Sequence, residues 1–146
     1  MHILLPAALL QPSMTLLEAM PLAASASRAR TKLVHLLKAS YASFAEDEYA
    51  LVSQYAINND DGTPICDADG TFTLKDPHRA SEFHAHHHTL LTSRVEVAGA
   101  TYENHGREVL DFLTASTQEL SGIDAEAYNA LYDAITESLK PDKDKQ

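Results

Sequence analysis

The sequence has a single cysteine, Cys66, in 146 residues. One thiol excludes a disulfide within the chain and a zinc site built from cysteines alone, and it favours a reducing compartment. Glycine is also scarce, at five residues, and the Gly-rich phosphate loop, the Gly-x-Ser-x-Gly elbow and the His-Glu-x-x-His helix are all missing. We therefore expect none of these nucleotide-binding or hydrolytic sites.

Basic side chains are outnumbered by acidic ones, 11 to 21, which gives a formal net charge of -10. Such a chain repels polyphosphate backbones, so nucleic-acid binding is disfavoured. Long apolar runs are also lacking, because Pro6, Pro12, Glu18 and Pro21 interrupt the apolar N-terminal segment. That segment resembles a secretory signal but has no basic start. We expect no membrane span and a cytoplasmic location.

Helical periodicity is what the sequence does contain. Ser25 or Ser27 can cap a long helix that runs to about Ile57, and a second helix is expected after Asp76, with proline at its first position. The apolar positions of the two helices repeat at spacings of three and four: Leu33, Leu37, Tyr41, Phe44, Leu51 and Tyr55 in one, and Phe83, His87, Leu90, Arg94 and Val97 in the other. This pattern predicts an antiparallel hairpin of residues 28–57 and 77–97.

Shorter elements complete the expected fold. "TPIC" and "TFTL", each next to an Asp-Gly step, predict a β-hairpin at the tip of the helical hairpin, and "HILL" can pair with "RVEVAG". Capping-box spacings predict helices near Thr15 and from Ser121, and a further helix lies within 101–117. Inward positions of the last two helices are Val109, Leu110 and Leu113, then Ile123, Ala127, Leu131, Ala134 and Ile135. The prediction is one mainly α domain with a minor β part over 1–139, followed by a disordered charged tail, 140–146.

Four histidines lie within five positions, at His84, His86, His87 and His88. On a helix His84 and His88 project from one face and could share a divalent ion, but two ligands do not close a tetrahedral site. The alternative is a solvated helix with neutral imidazoles and, at most, adventitious metal. His87 lies on the apolar seam, so we expect it to be buried and neutral, and its protonation near pH 6 to loosen the hairpin.

Three cations, Arg28, Arg30 and Lys32, gather near the start of the long helix. A phosphate or carboxylate would gain there from free N–H groups and guanidinium donors, which makes a small anionic ligand such as a nucleotide conceivable. The alternative is that these side chains pair with acidic residues of neighbouring helices or cover the core.

The acidic loops favour turns over calcium sites. An EF-hand needs an oxygen ligand five residues before its glycine, and Ile57 and Ile65 occupy those positions. Cys66 lies beside Asp67 and Asp69, whose charge opposes thiolate formation, so we expect a packing residue and no nucleophile.

The order of several segments resembles a known family: "ASRARTKLVHLLK", "EDEYALVSQYA", "DGTPICDADGTF", "YENHGREVLDFL" and "ELSGIDAEAYNALYDAI". Together they are similar to a family of short, uncharacterised proteins from tailed phages of Gram-positive bacteria, a domain of unknown function. The resemblance covers residues 1 to about 137. It implies a phage origin, and because the family has no assigned catalytic residues, it transfers no active site onto this chain. The histidine run departs from the family pattern.

Two functions follow as expectations. The first is a phage accessory protein that acts by binding a host or phage protein in the infected cell, without catalysis or a cofactor, as a homo-oligomer and most simply a dimer. The second is an anti-defence protein that sequesters a small phosphorylated ligand at Arg28, Arg30 and Lys32. A metal-dependent enzyme built on the histidine run is a third, less favoured, possibility.

Overall fold

A computed structural model describes residues 1–141 of the protein. Its regular structure in that range consists of five α-helices, one pair of strands and two short 3-10 turns. The elements are β1 (His2–Pro6), α1 (Leu10–Ala19), α2 (Ala24–Tyr55), α3 (Ala80–Thr92), β2 (Arg94–Ala98), α4 (His105–Ala115) and α5 (Gly122–Ser138). The predicted mainly α class with a minor β part is confirmed. Residues 142–146 of the predicted tail lie outside the described residues.

The chain forms two compact units. One, the sheet unit, comprises Met1–Tyr41 and the chain from Arg94 onward, and the other, the tip unit, comprises Ala42–Ser93. Helix α2 supplies residues to both. The single domain expected over 1–139 stays a prediction.

Strands β1 and β2 form the antiparallel pair that the sequence suggested, with Ile3 opposite Val97 and Leu5 opposite Val95. Ile3, Leu5 and Val97 are buried, whereas the alternate residue Leu4 is exposed, as the period of two requires. The expected continuation of the second helix to residue 97 is wrong. Helix α3 ends at Thr92. In the residues that follow, β-branched valines alternate with other side chains, a pattern that favours the extended conformation of β2.

Helices α4 and α5 supply much of the core of the sheet unit. Val109, Leu113, Leu131 and Ile135 are all fully buried, as their spacing predicted. Ile123 is instead 50 % exposed. Gly122 beside it has a φ of +57°, so the chain turns at the helix entry before the regular inward face begins.

The helix starts differ from the predicted capping boxes. A 3-10 turn, Ala7–Leu9, leads into α1, which begins at Leu10 and places Thr15 in its interior. The earlier start is compatible with Pro12, because a residue in the first turn of a helix has no helical hydrogen bond that a proline would remove. Ser121 does precede α5, but within residues 1–141 its side chain makes no capping hydrogen bond.

In the tip unit, the end of α2 and helix α3 lie antiparallel. Tyr55, near the end of α2, donates to Glu82, near the start of α3, at 3.0 Å. Glu48 lies earlier in α2 than Tyr55, and it pairs with His87, which lies later in α3 than Glu82. The helical hairpin is therefore confirmed, but within residues 42–55 and 80–92 only. Arg79 also binds Glu82 at 3.0 Å, and this hydrogen bond lowers the pKa of Glu82 to about 2.

The connection between these helices contains the predicted β-hairpin tip. Cys66 bridges Phe72 in antiparallel fashion around the Asp69-Gly70 turn, and Asn58 bridges Pro64 around the Asp61-Gly62 turn. Gly62 and Gly70 have φ values of +86° and +84°, which glycine adopts without a steric penalty. Both Asp-Gly steps are thus turns, as expected, and each is closed by a threonine that binds the preceding aspartate.

Candidate functional site

The three cations of the anion hypothesis are distributed over the first three turns of α2. Because the helix begins at Ala24 and the N–H of Ser27 already donates to the carbonyl oxygen of Ala23, the free N–H groups within the helix belong to residues 24–26. Lys32 lies roughly 12 Å beyond the helix start along the axis. Arg30 donates to the carbonyl oxygens of Leu17 and Met20 at the end of α1. Arg28 instead stacks over a tyrosine ring, 5.0 Å from its centroid. The structure therefore gives Arg28 and Arg30 different partners, and anion binding stays a prediction.

The histidine run lies on α3, where His84, His86 and His88 are exposed. His87 is not enclosed, because its side chain is 30 % exposed and its Nε2 lies 3.0 Å from Glu48 Oε2. The expectation that His87 is buried is therefore wrong. Within residues 1–141 no three histidine, cysteine or carboxylate side chains are arranged to hold one metal ion. Metal binding by His84 and His88 stays a prediction.

A groove of about 580 Å³ opens on the sheet unit. The chain that links α1 to α2 forms one side, and α4 with the residues after it forms the other. Its lining residues are Met20, Pro21, Leu22, Ser25, Ala26, Glu108, Asp111, Phe112, Ala115, Ser116, Thr117 and Gln118. The lining is largely apolar, and its charged groups are two carboxylates, so we call it the acidic groove.

The two carboxylates of the acidic groove are fixed by neighbours on α4 and just before it. Tyr102 donates to Glu108 Oε2 at 2.5 Å, and Arg107 lies 3.5 Å from Asp111 one turn along the helix. Burial and the bond to Glu108 raise the pKa of Tyr102, so the phenol keeps its proton and goes on donating. The wall of the groove therefore presents one carboxylate, Glu108, that Tyr102 positions, and a second, Asp111, that is exposed to solvent beside Arg107.

A fully buried histidine, His105, lies at the start of α4 and was missed by the sequence analysis. Its Nε2 lies 2.7 Å from the carbonyl oxygen of Ala29, so this nitrogen donates, and Nδ1 accepts from Thr101 at 2.9 Å. Burial lowers its pKa, a change to which Lys32 adds and which Glu108 opposes. The signal was available, because His105 precedes the inward residues of α4 at a spacing of four.

A second cavity, of about 470 Å³, lies wholly within the tip unit, and we call it the tip pocket. Helix α2, the β-hairpin and helix α3 each contribute to its lining, which consists of Ala45, Glu48, Tyr49, Val52, Pro64, Cys66, Gly70, Phe72, Phe83, His84 and His87. Three aromatic side chains and the Glu48–His87 pair are its main features. Two members of the histidine run thus face a cavity, and they are His84 and His87 rather than the predicted pair.

A family model described as "Protein of unknown function (DUF1617)" matches residues 14–144. The chain belongs to this family. No curated protein and no solved structure matches the chain. The match spans both units, so membership covers the acidic groove and the tip pocket alike. In the described part of the chain, no helix combines the length and apolarity needed to cross a bilayer.

Proposed function

We propose that the protein is an accessory protein of tailed phages of Gram-positive bacteria, and that it acts by binding a protein partner in the cytoplasm of the infected host. The ordered series of sequence segments that resembles the phage family supports the phage origin. The acidic groove supports the mode of action, and it is the single observation on which this proposal rests.

The lining of the acidic groove favours an amphipathic, basic segment of a partner protein. Met20, Leu22 and Phe112 offer an apolar floor, which suits the apolar face of a helix laid into a groove. Glu108 and Asp111 on one wall complement lysine or arginine at the edge of such a helix. The overall charge of -10 would also speed the encounter with a basic partner at low salt.

We expect the two carboxylates of the acidic groove, Glu108 and Asp111, to act in binding rather than in catalysis. Glu108 accepts a hydrogen bond from the hydroxyl of Tyr102, and Asp111 lies 3.5 Å from Arg107. Charged, positioned carboxylates suit the recognition of a cationic side chain. The partner is either a host protein, in a takeover role, or a component of the phage particle.

Self-association is part of the same proposal, and we expect a dimer. The sheet unit leaves Leu4, Ile123 and Leu139 exposed, each by 38 % or more, and apolar surface of this kind is a common element of interfaces between copies. Sedimentation equilibrium of the purified protein measures the state directly, and a monomer over the whole micromolar range would contradict the expectation.

Capture of a small phosphorylated ligand at Arg28, Arg30 and Lys32 is the second candidate, and it has less support. Arg30 already donates to two backbone carbonyls, and the carboxylates of the acidic groove would repel a phosphate bound there. A thermal shift of several degrees with a nucleotide, abolished by Arg28→Ala, would favour this function over the first.

Crosslinking from the acidic groove tests the proposal. A photo-reactive phenylalanine analogue replaces Ala115, which lines the groove, or the exposed Ala39 of α2, which does not. We expect a specific adduct in infected cells from position 115 alone. The purified partner should then bind Ala115→Phe at least 10-fold more weakly than the wild type, and Ala39→Phe should bind normally. Equal adducts from both positions, or normal binding by Ala115→Phe, would contradict the proposal.

A further inference from the structure

The tip pocket has the dimensions and lining of a site for a small molecule. Its volume of about 470 Å³ falls within the range of roughly 300–1,000 Å³ that is usual for such sites. Walls come from three different elements of the tip unit, so the cavity depends on tertiary structure and is not a crease beside one helix. Its lining combines apolar side chains with a few polar groups, as ligand sites commonly do.

Aromatic rings form a large part of these walls. Phe72 and Phe83 meet edge to face with their centroids 5.2 Å apart, and Tyr49 on α2 is 52 % exposed. Ring faces and edges of this kind hold a flat apolar ligand, and they attract a cation that approaches a ring face. Val52 and Pro64 add further apolar surface to the lining.

Glu48 is the charged group of the lining. Its Oε2 binds His87 at 3.0 Å, which positions the carboxylate, and its side chain remains 39 % exposed. Oε1 can therefore accept a hydrogen bond from a ligand while Oε2 keeps the imidazole. The lining contains neither lysine nor arginine, so a phosphate or carboxylate on the ligand would have no charged partner there.

The charge of the tip unit favours the same kind of ligand. Its 52 residues carry nine acidic and two basic side chains, which is a formal net charge of -7 with histidine neutral. One of those bases, Arg79, is already bound to Glu82. A cationic ligand is attracted by this field and an anionic ligand is repelled.

From these observations we propose that the tip pocket binds a small aromatic ligand that carries a protonated amine. The ring lies against Tyr49, Phe72 and Phe83, and the ammonium group binds the free oxygen of Glu48. This site lies in the tip unit and does not depend on the protein-binding function proposed for the acidic groove.

Two probes with the same indole ring separate ring binding from charge recognition. Tryptamine carries an ammonium group, and indole-3-acetate carries a carboxylate. Titrations followed by amide and side-chain NMR of the full chain should show saturable tryptamine binding with shifts at the tip pocket, and at least 10-fold weaker binding of indole-3-acetate. Equal affinity for both probes, no binding of tryptamine up to millimolar concentration, or shifts confined to other surfaces would overturn the proposal.

Matched variants test the role of Glu48. Glu48→Gln keeps the size of the side chain and its hydrogen bond to His87 but removes the charge, and we expect it to weaken tryptamine binding about 10-fold. Glu46→Gln, two residues away on the same helix and exposed, makes the same change outside the lining and should bind normally. Equal effects of the two variants would refute the assignment.

Val52→Phe provides an independent test, because it fills the pocket and keeps Glu48. It should abolish tryptamine binding while leaving the amide spectrum of the sheet unit unchanged. Ala115→Phe, which blocks the acidic groove, should leave tryptamine binding intact, so failure at one site is distinguishable from failure at the other. Full affinity of a folded Val52→Phe would overturn the proposal.

Discussion

The two units of the chain are stabilised in different ways. Among residues 1–141, the twelve largest fully buried side chains all belong to the sheet unit: Ile3, Leu5, Leu10, Leu17, Leu33, Leu37, Val97, His105, Val109, Leu113, Leu131 and Ile135. In the tip unit, the buried aromatic residues Phe44, Tyr55 and Phe83 retain 5–7 % exposure. One unit has an aliphatic core, whereas the other relies on rings, hydrogen-bonded turns and ion pairs.

Charge follows the same division. The tip unit has a net charge of -7 in 52 residues, and the remaining 94 residues have twelve acidic and nine basic side chains, a net charge of -3. A small unit with little fully buried apolar surface and strong self-repulsion opens at a lower free energy than a unit with a dense core. We infer that the sheet unit is the stable scaffold, and that the tip unit is the adaptable part in which a ligand has most influence.

The largest expected effect comes from the core of the sheet unit. Leu113 is fully buried, so Leu113→Ala removes apolar contacts and leaves a cavity, at a cost of about 3 kcal/mol in the free energy of unfolding. Leu51 of the tip unit is only partly buried, and Leu51→Ala should cost about 1 kcal/mol. Urea denaturation of both variants measures the difference. Equal losses would remove the distinction between the two units.

His105 is expected to have the next largest effect, and it makes the core of the sheet unit sensitive to pH. His105→Leu removes its bonds to Ala29 and Thr101, at a cost of about 2 kcal/mol at pH 8. Burial lowers the pKa of His105, so the unfolded chain takes up a proton more readily than the folded one. The stabilisation is therefore present above the ordinary pKa of about 6.5 and is lost as the pH falls below it.

Unfolding free energies at pH 8 and pH 5.5 test this sign. The deficit of His105→Leu relative to the wild type should shrink at pH 5.5, since only the wild type pays for keeping that imidazole neutral. Leu113→Ala removes no titratable group, so it serves as the control, and its deficit should be the same at both pH values. A constant deficit for His105→Leu would contradict the assignment.

An intermediate effect is expected at Phe83, whose ring contacts those of Tyr55, Phe72, His84 and His87. Phe83→Leu preserves most of the volume but loses the ring pairs, so it should cost the tip unit about 1.5 kcal/mol. Amide hydrogen exchange is the suitable measurement. Exchange should accelerate in the tip unit and stay unchanged in the sheet unit, and uniform acceleration of both would mean that they unfold together.

Sequence periodicity was sufficient for the elements whose environment is uniform. The long helix, the pairing of β1 with β2, both Asp-Gly turns and, apart from Ile123, most of the inward faces of α4 and α5 follow from spacing and turn chemistry alone. Periodicity failed where two rules conflict: α3 was extended over the residues of β2 because Arg94 and Val97 also fit a helical repeat. The site was harder to predict, because Glu48 and His87 are 39 residues apart and Phe72 comes from a hairpin. No short-range sequence pattern predicts that these side chains face the same cavity.

The smallest effect is expected within the tip unit, where residues 59–63 and 67–71 form two Asp-Gly turns that differ in sequence at two positions, and one difference, Asn59 against Asp67, changes the hydrogen bonding. In the first turn, Asn59 donates to the hydroxyl of Thr63 at 3.1 Å. In the second, the hydroxyl of Thr71 donates its one proton to Asp69 at 2.7 Å. Asp67 Oδ2 lies 3.1 Å from the same hydroxyl oxygen, so these two oxygens have no proton left to form a hydrogen bond. Asp67→Asn supplies the missing donor and removes a negative charge, and it should raise the unfolding free energy by about 0.5 kcal/mol. Asn59→Asp should lower the unfolding free energy by a similar amount, because it recreates in the first turn the acidic arrangement of the second. A gain in stability from Asn59→Asp would show that the two turns are not equivalent.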